Sequence, residues 1–152
     1  MLVHQTKSNE PFLSFFVALI SFLKHPQPKS VSPHVIPAIH IALASLADKL
    51  FNRGPLVVII STTVDQTTQA QRMAQDLGNP VGVHSALGVG TDGDVVQELC
   101  ILQQNMPHIL FGTPQKPHAL FTSPGGLPGQ EVHFLVLNEV DQLIARNLHE
   151  WI

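Results

Sequence analysis

The side chains best suited to metal chemistry in this sequence are its nine histidines. Helical zinc sites pair such ligands four residues apart, as in HxxxH or HExxH, so that both rings reach one ion. Neither pattern occurs, and His34 and His40 stand six apart, the wrong interval for one helix face. The histidines therefore read as scattered structural or surface residues. Cys100 is the single cysteine, which excludes an internal disulfide and a cysteine-rich zinc site. The remaining candidates lie on the loops that follow short apolar runs, beginning near Gln5, Ser61, Ser85, Gly112 and Asn138. What they can do depends on the elements that carry them.

A chain of 152 residues suits one domain. At this mass folding buries roughly 16,000 Å², enough for a core of its own. Apolar residues make up 44% and charged residues 12%, about half the usual charged share. That balance excludes a charge-driven disordered chain, an acidic tail and a coiled coil. With 8 basic and 11 acidic residues the net charge is -3, which argues against a strongly basic nucleic-acid binder and leaves room for a local groove. Near the N-terminus Lys7 precedes the apolar run Phe12 to Leu23, similar to a signal-peptide core, but Ser21-Phe22-Leu23 enters Lys24-His25-Pro26 without a small-x-small cleavage site. The run is also shorter than the ~20 residues of a membrane span. Asn9, Glu10 and Pro11 supply a cap, an early acid and a first-turn proline, so a buried helix is expected there.

Short apolar runs alternate with helical segments along the rest of the chain. Strands are expected near 2–4, 56–60, 81–84, 108–111 and 132–137, all parallel. The run Leu56 to Ile60 is apolar throughout and mostly β-branched, as in a strand buried on both faces. Ile36, Ile39, Leu43, Leu46 and Leu50 recur at helical steps, with Gly54 and Pro55 as the stop. Further helices are expected over 65–77, from Asp92 or Asp94 to about Asn105, and over 141–151. Segments 25–35 and 123–130 are rich in proline or glycine and read as loops. Strand–helix alternation at this spacing implies right-handed crossovers and a parallel sheet with helices on both faces. Function in such sheets gathers on the loops after the strand ends. A sheet truncated after 132–137 would leave an open edge, the expected interface unless the terminal helix folds back over it.

Read in order, those loops resemble the N-terminal RecA-like domain of the DEAD-box RNA helicases. Met106-Pro107-His108-Ile109-Leu110-Phe111-Gly112-Thr113-Pro114-Gln115-Lys116 is similar to the strand leading into the family's Thr-Pro-Gly-Arg motif. Phe134-Leu135-Val136-Leu137-Asn138-Glu139-Val140-Asp141 resembles the strand and Asp-Glu-Ala-Asp box. Val57 to Asp65, with Gln69 beyond, resembles the Pro-Thr-Arg-Glu-Leu segment. Leu87-Gly88-Val89 and Val96-Gln97-Glu98-Leu99 are similar to the Gly-Gly motif and its helix. Gln5-Thr6-Lys7-Ser8-Asn9 and the following helix take the place of the phosphate loop. The resemblance implies an α/β, RecA-like fold of the P-loop NTPase type. It also implies one domain over 1–152, with the family's second RecA-like domain absent.

The departures from the family pattern shape the functional expectation. A phosphate loop needs glycines for close backbone approach, a lysine for phosphate charge and a hydroxyl for magnesium. Lys7, Ser8 and Asn9 are the family positions nearest that role, yet Asn9 and Pro11 replace the glycines, Phe12 the lysine and Leu13 the hydroxyl, while Glu10 adds a negative charge. Asn138 replaces the first aspartate of the acidic box, Glu139 stands at the catalytic position, and Asp141 is left as a candidate metal ligand. Among RNA-facing positions Thr63, Gly88, Thr113 and Pro114 are kept, Val64 and Lys116 replace arginines, and Gln115 replaces glycine. The expectation is an intracellular, catalytically idle domain that binds or scaffolds a protein partner. RNA binding would be non-specific, with no membrane association, and neither ATP nor magnesium is expected, though both serve the family. The alternative is an ATP-dependent RNA helicase domain completed by parts outside this chain.

Overall fold

The computed structural model describes residues 2–5, Val35, Ala38, Ile39, Ala42, 54–90 and 93–152, with the backbone alone at 2–5, His149 and Trp151. Its centre is β2 (Val57–Ile60), whose four residues are all buried. Beside β2 lie β4 (Ile109–Gly112) and β5 (Phe134–Leu137), both parallel to it. β3 (Ser85–Gly88) pairs in parallel with β4 on the outer side. The order across the sheet is β1-β5-β2-β4-β3, where β1 is Leu2–Gln5.

Strand alternation sends these residues into two clusters. Val57, Ile59, Ile109, Phe111, Phe134 and Val136 pack with Ala70 and Ala74 of α1 (Val64–Gly78) and with Val35, Ala38, Ile39 and Ala42. Val58, Ile60 and Leu110 pack on the opposite face with one leucine from each of three helices. These are Leu99 of α2 (Val95–Gln104), Leu120 of α3 (Gln115–Thr122) and Leu143 of α4 (Val140–Ala145). The expected α/β architecture with helices on both faces is therefore present. Val35, Ala38, Ile39 and Ala42 are helical and buried at the 3–4 spacing of one helix face. Ile39 belongs to the expected stripe, while Ile36, Leu43, Leu46 and Leu50 lie outside the described residues, as do the helix expected after Asn9 and the loop 25–35.

Helix starts follow their capping residues. The Thr63 hydroxyl accepts the Gln66 amide at 3.3 Å, and an Asp94 carboxylate oxygen accepts the Gln97 amide at 3.2 Å.

Several expectations are corrected. β1 is antiparallel to β5, from Leu2 opposite Leu137 to Gln5 opposite Phe134, so the sheet is not all parallel. That pairing covers the β5 edge expected to be an open interface. An edge position accepts either direction, because β1 borders a single neighbour. β3 lies at 85–88 instead of 81–84, because Asn79–Val81 forms a 3-10 turn containing Pro80 and Gly82 adopts φ 80. The last helix stops at Ala145, since Asn147 takes φ 54, and a separate 3-10 turn spans Leu148–Trp151.

Gly112 closes the β4 strand where space is tightest. A Cβ there would run into the Pro117 ring and lie 2.8 Å from the Gly88 carbonyl oxygen. Gly112→Ala is expected to cost on the order of 1–3 kcal/mol in a denaturant titration, because backbone and a rigid ring must move. Gly129→Ala, whose nearest atom would be Phe121 Cδ1 at 3.7 Å, should stay within about 0.5 kcal/mol.

Candidate functional site at the carboxyl edge of the sheet

The register brings four strand ends to one level. Ile60 is opposite both Gly112 and Leu137, and Gly112 is opposite Gly88. Beyond that level the loops are tied together: Ser61 N–H donates to Gly112 at 3.0 Å, Thr113 N–H to Gly88 at 3.2 Å and Asn138 N–H to Ile60 at 2.9 Å. Residues 61–63, 88–90, 113–114 and 138–139 therefore share one edge. β1 runs the other way, and Gln5 ends at the level where β5 begins. Gln5 thus belongs to the opposite edge, which corrects its place among the five loops. Lys7, Ser8 and Asn9 lie outside the described residues.

Glu139 is the centre of the polar contacts at this edge. Its backbone sits in the left-handed region at φ 53, ψ 57, a cost of about 1–3 kcal/mol for a residue with a side chain. Its carbonyl accepts the amides of Gln142 at 2.9 Å and Leu143 at 3.1 Å, which starts α4. Its carboxylate turns the other way, towards α1. Gln66 Nε2 donates to Oε1 at 3.2 Å and Oε2 at 3.1 Å. The Thr62 hydroxyl lies 3.3 Å from Glu139 Oε2 and 3.2 Å from Gln66 Oε1, one proton shared between two acceptors. Asp141 is exposed in the first turn of α4. Among the described residues no three of histidine, cysteine, aspartate and glutamate stand close enough to hold a metal ion.

The other candidate residues meet at the edge with different degrees of access. Thr63 is half-buried and spends its hydroxyl on the α1 cap. Gly88, Thr113 and Pro114 are buried, and Gly88 is the last residue of β3, not part of a loop. Val64, at the arginine position, is exposed. Lys116, expected among the RNA-facing positions, is 3% exposed, and its Nζ lies 3.2 Å from Glu98 Oε2. That oxygen has no aligned hydrogen-bond donor, so the contact is Coulombic attraction between α3 and α2.

Two features escape a reading of spacing alone. Thr62 and Gln66 flank the residues that attract attention as a motif, and only the fold shows them holding Glu139. His84 and His108, 24 positions apart, are stacked at the opposite edge with ring centroids 5.8 Å apart. The common signal is position: each stands one residue before a strand.

The architecture and this edge define an α/β domain of the RecA-like kind. The model of the DEAD/DEAH box helicase family matches residues 35–152, and the chain belongs to that family. No curated protein matches it. Among the described residues no helix is long and apolar enough to cross a membrane.

The Lys116–Glu98 contact yields an asymmetric expectation. Removing the partner of a buried charge costs more than replacing the charge itself by an apolar side chain. Since the Glu98 side chain is 41% exposed, solvent screening reduces the effect. Glu98→Gln should destabilise by about 1–2 kcal/mol in thermal or chemical unfolding, while Lys116→Met should cost less. The reverse order would mean that Lys116 gains more from solvent than from Glu98.

Proposed function

We propose that this chain is a single, catalytically degenerate DEAD-box domain that works as a binding or scaffolding module, a pseudoenzyme of its family. The observation that carries the reading is the state of Glu139. Both carboxylate oxygens already accept hydrogen bonds from Gln66, and Thr62 lies on one of them. In the register of the family resemblance, Thr62 and Gln66 stand where Pro-Thr-Arg-Glu-Leu has proline and leucine, side chains that hold no carboxylate. Asn138 is neutral where a magnesium-supporting aspartate is required, and Asp141 is exposed without another ligand described beside it. This donor set does not fit the family's magnesium. Phosphoryl transfer is mostly positioning and charge stabilisation, so losing both removes most of the catalysis.

For RNA, the reading assigns backbone contact to the shared edge at Thr63, Gly88, Thr113 and Pro114. Lys116 is engaged by Glu98 and Val64 carries no charge, so few phosphates can be neutralised. RNA binding would then be sequence-independent and secondary to a protein partner. The competing reading, an ATP-dependent RNA helicase domain completed from elsewhere, is favoured by one observation. Glu139 stands at the family's catalytic position, on the edge the RNA-type loops share.

Calorimetry with ATP and magnesium separates the two. The expected result is no binding tighter than millimolar, with Phe12→Lys failing to restore it because Glu10 and Pro11 remain. Micromolar affinity would establish the helicase reading. In an RNA titration at several salt concentrations, log affinity should fall against log salt with a slope of about one or two counterions. Lys116→Met should leave that slope unchanged, whereas a drop would return Lys116 to the RNA surface.

A further inference from the structure

The amino edge of the sheet carries a device unrelated to the loops of the carboxyl edge. β3 is the outermost strand, bonded to a single neighbour, β4. At its start, His84 and His108 make a reciprocal contact. His108 N–H donates to the His84 carbonyl at 2.8 Å, and Ile109 N–H reaches the same oxygen at 3.3 Å. In return the His84 N–H donates to Nδ1 of the His108 ring at 3.0 Å. That bond requires a lone pair on Nδ1, so the ring is neutral with its proton on Nε2. The two rings stack at 5.8 Å and 25°.

We propose that the His84–His108 pair is an acid-released clip fastening the edge strand β3, and Gly88 at its far end, to β4. A proton on Nδ1 turns the acceptor into a donor and leaves the His84 N–H without its partner. It also charges a ring that is 5% exposed and faces a second titratable ring.

The surroundings leave the pair to act on its own. On the other flank, Leu56 and Val57 donate their amides to the His108 carbonyl and carry no charge. Val83 and Pro107, beside the two histidines in sequence, carry none either. On neighbouring elements the titratable groups are Asp65, Arg72 and Asp76 in α1, Glu98 and Cys100 in α2, Lys116 and His118 in α3, and His133 ahead of β5, with Lys116 and Glu98 paired to each other. His133 is one strand further away, beyond Leu56, and its Nδ1 lies 2.8 Å from the Glu131 carbonyl. Burial first, and then the neighbouring His84, hold the His108 imidazole below the ordinary value of 6.5. The native state thus keeps His108 neutral where the unfolded chain protonates it. Stability is intact above pH 6.5 and declines as the pH falls below it towards the native titration point. With a single strand neighbour and a side-chain bond from Gln71 to Ser85 at 3.3 Å, β3 opens before the central strands do.

Amide hydrogen exchange of the full 152-residue chain, corrected for intrinsic rates, tests this between pH 7.5 and pH 5. Protection at residues 84–88 should fall on the order of tenfold while β2 and β5 keep theirs. His108→Asn places an uncharged acceptor near the Nδ1 position and should make β3 protection independent of pH. The proposal is overturned if β3 protection is flat in the native chain, or if His108→Asn keeps the same pH dependence. Should that variant not fold, the His108 ring titration followed by NMR in the native chain decides. Its midpoint must coincide with the opening of β3, and a separation of more than about one pH unit sinks the clip.

Discussion

The arrangement of this domain depends on the level at which β2 sits between its neighbours. Val57–Ile60 is buried at every position, with alternate side chains entering opposite clusters. A one-residue slip would send Val57 and Ile59 to the face that holds Leu99, Leu120 and Leu143, and the reverse for Val58 and Ile60. Neither face could then keep its packing. Once this register holds, Gly112 and Leu137 must end beside Ile60, with Gly88 beyond Gly112, and the polar loops must meet on one edge. The same register sets His84 beside His108 at the other edge. Both polar constellations therefore result from apolar packing that involves none of their residues.

Glu139 shows how such packing is converted into a particular contact. Its left-handed backbone is unfavourable in isolation. It persists because the Asn138 amide is bonded to Ile60, the carbonyl of Glu139 starts α4, and the carboxylate is held by α1. Three elements define the conformation of one residue. A carboxylate so occupied joins β5–α4 to the first turn of α1, a structural duty that competes with any role towards a ligand. Lys116 follows the same pattern between α3 and α2. In a chain with 12% charged residues, the charges of Glu139, Lys116 and Glu98 are all engaged within the fold.

What the sequence made legible follows from which interactions are local. The buried run of β2, the Asp94 cap and the helix over 65–77 depend on neighbours a few residues away, and all are found close to their expected places. The direction of β1 was not legible, because an edge strand accepts either orientation and its pattern does not record which. β3 was misplaced because Val81, Val83 and His84 resemble a strand, while Pro80 and Gly82 bend the backbone there. The burial of Lys116, the hold on Glu139 and the histidine pair join residues 18 to 77 positions apart. No spacing rule connects them until the crossovers are in place.

The two edges also differ in how their polar groups are satisfied. At the carboxyl edge the Glu139 carboxylate is met by Thr62, ahead of α1, and by Gln66 within it. At the amino edge a backbone amide relies on a ring nitrogen that can take up a proton. An imidazole acceptor is lost when it ionises. The family match spans both edges, yet the family's chemistry concerns only the first. Sensitivity to conditions is thus placed at the edge away from the Glu139 contacts, on an outer strand bonded to β4 alone.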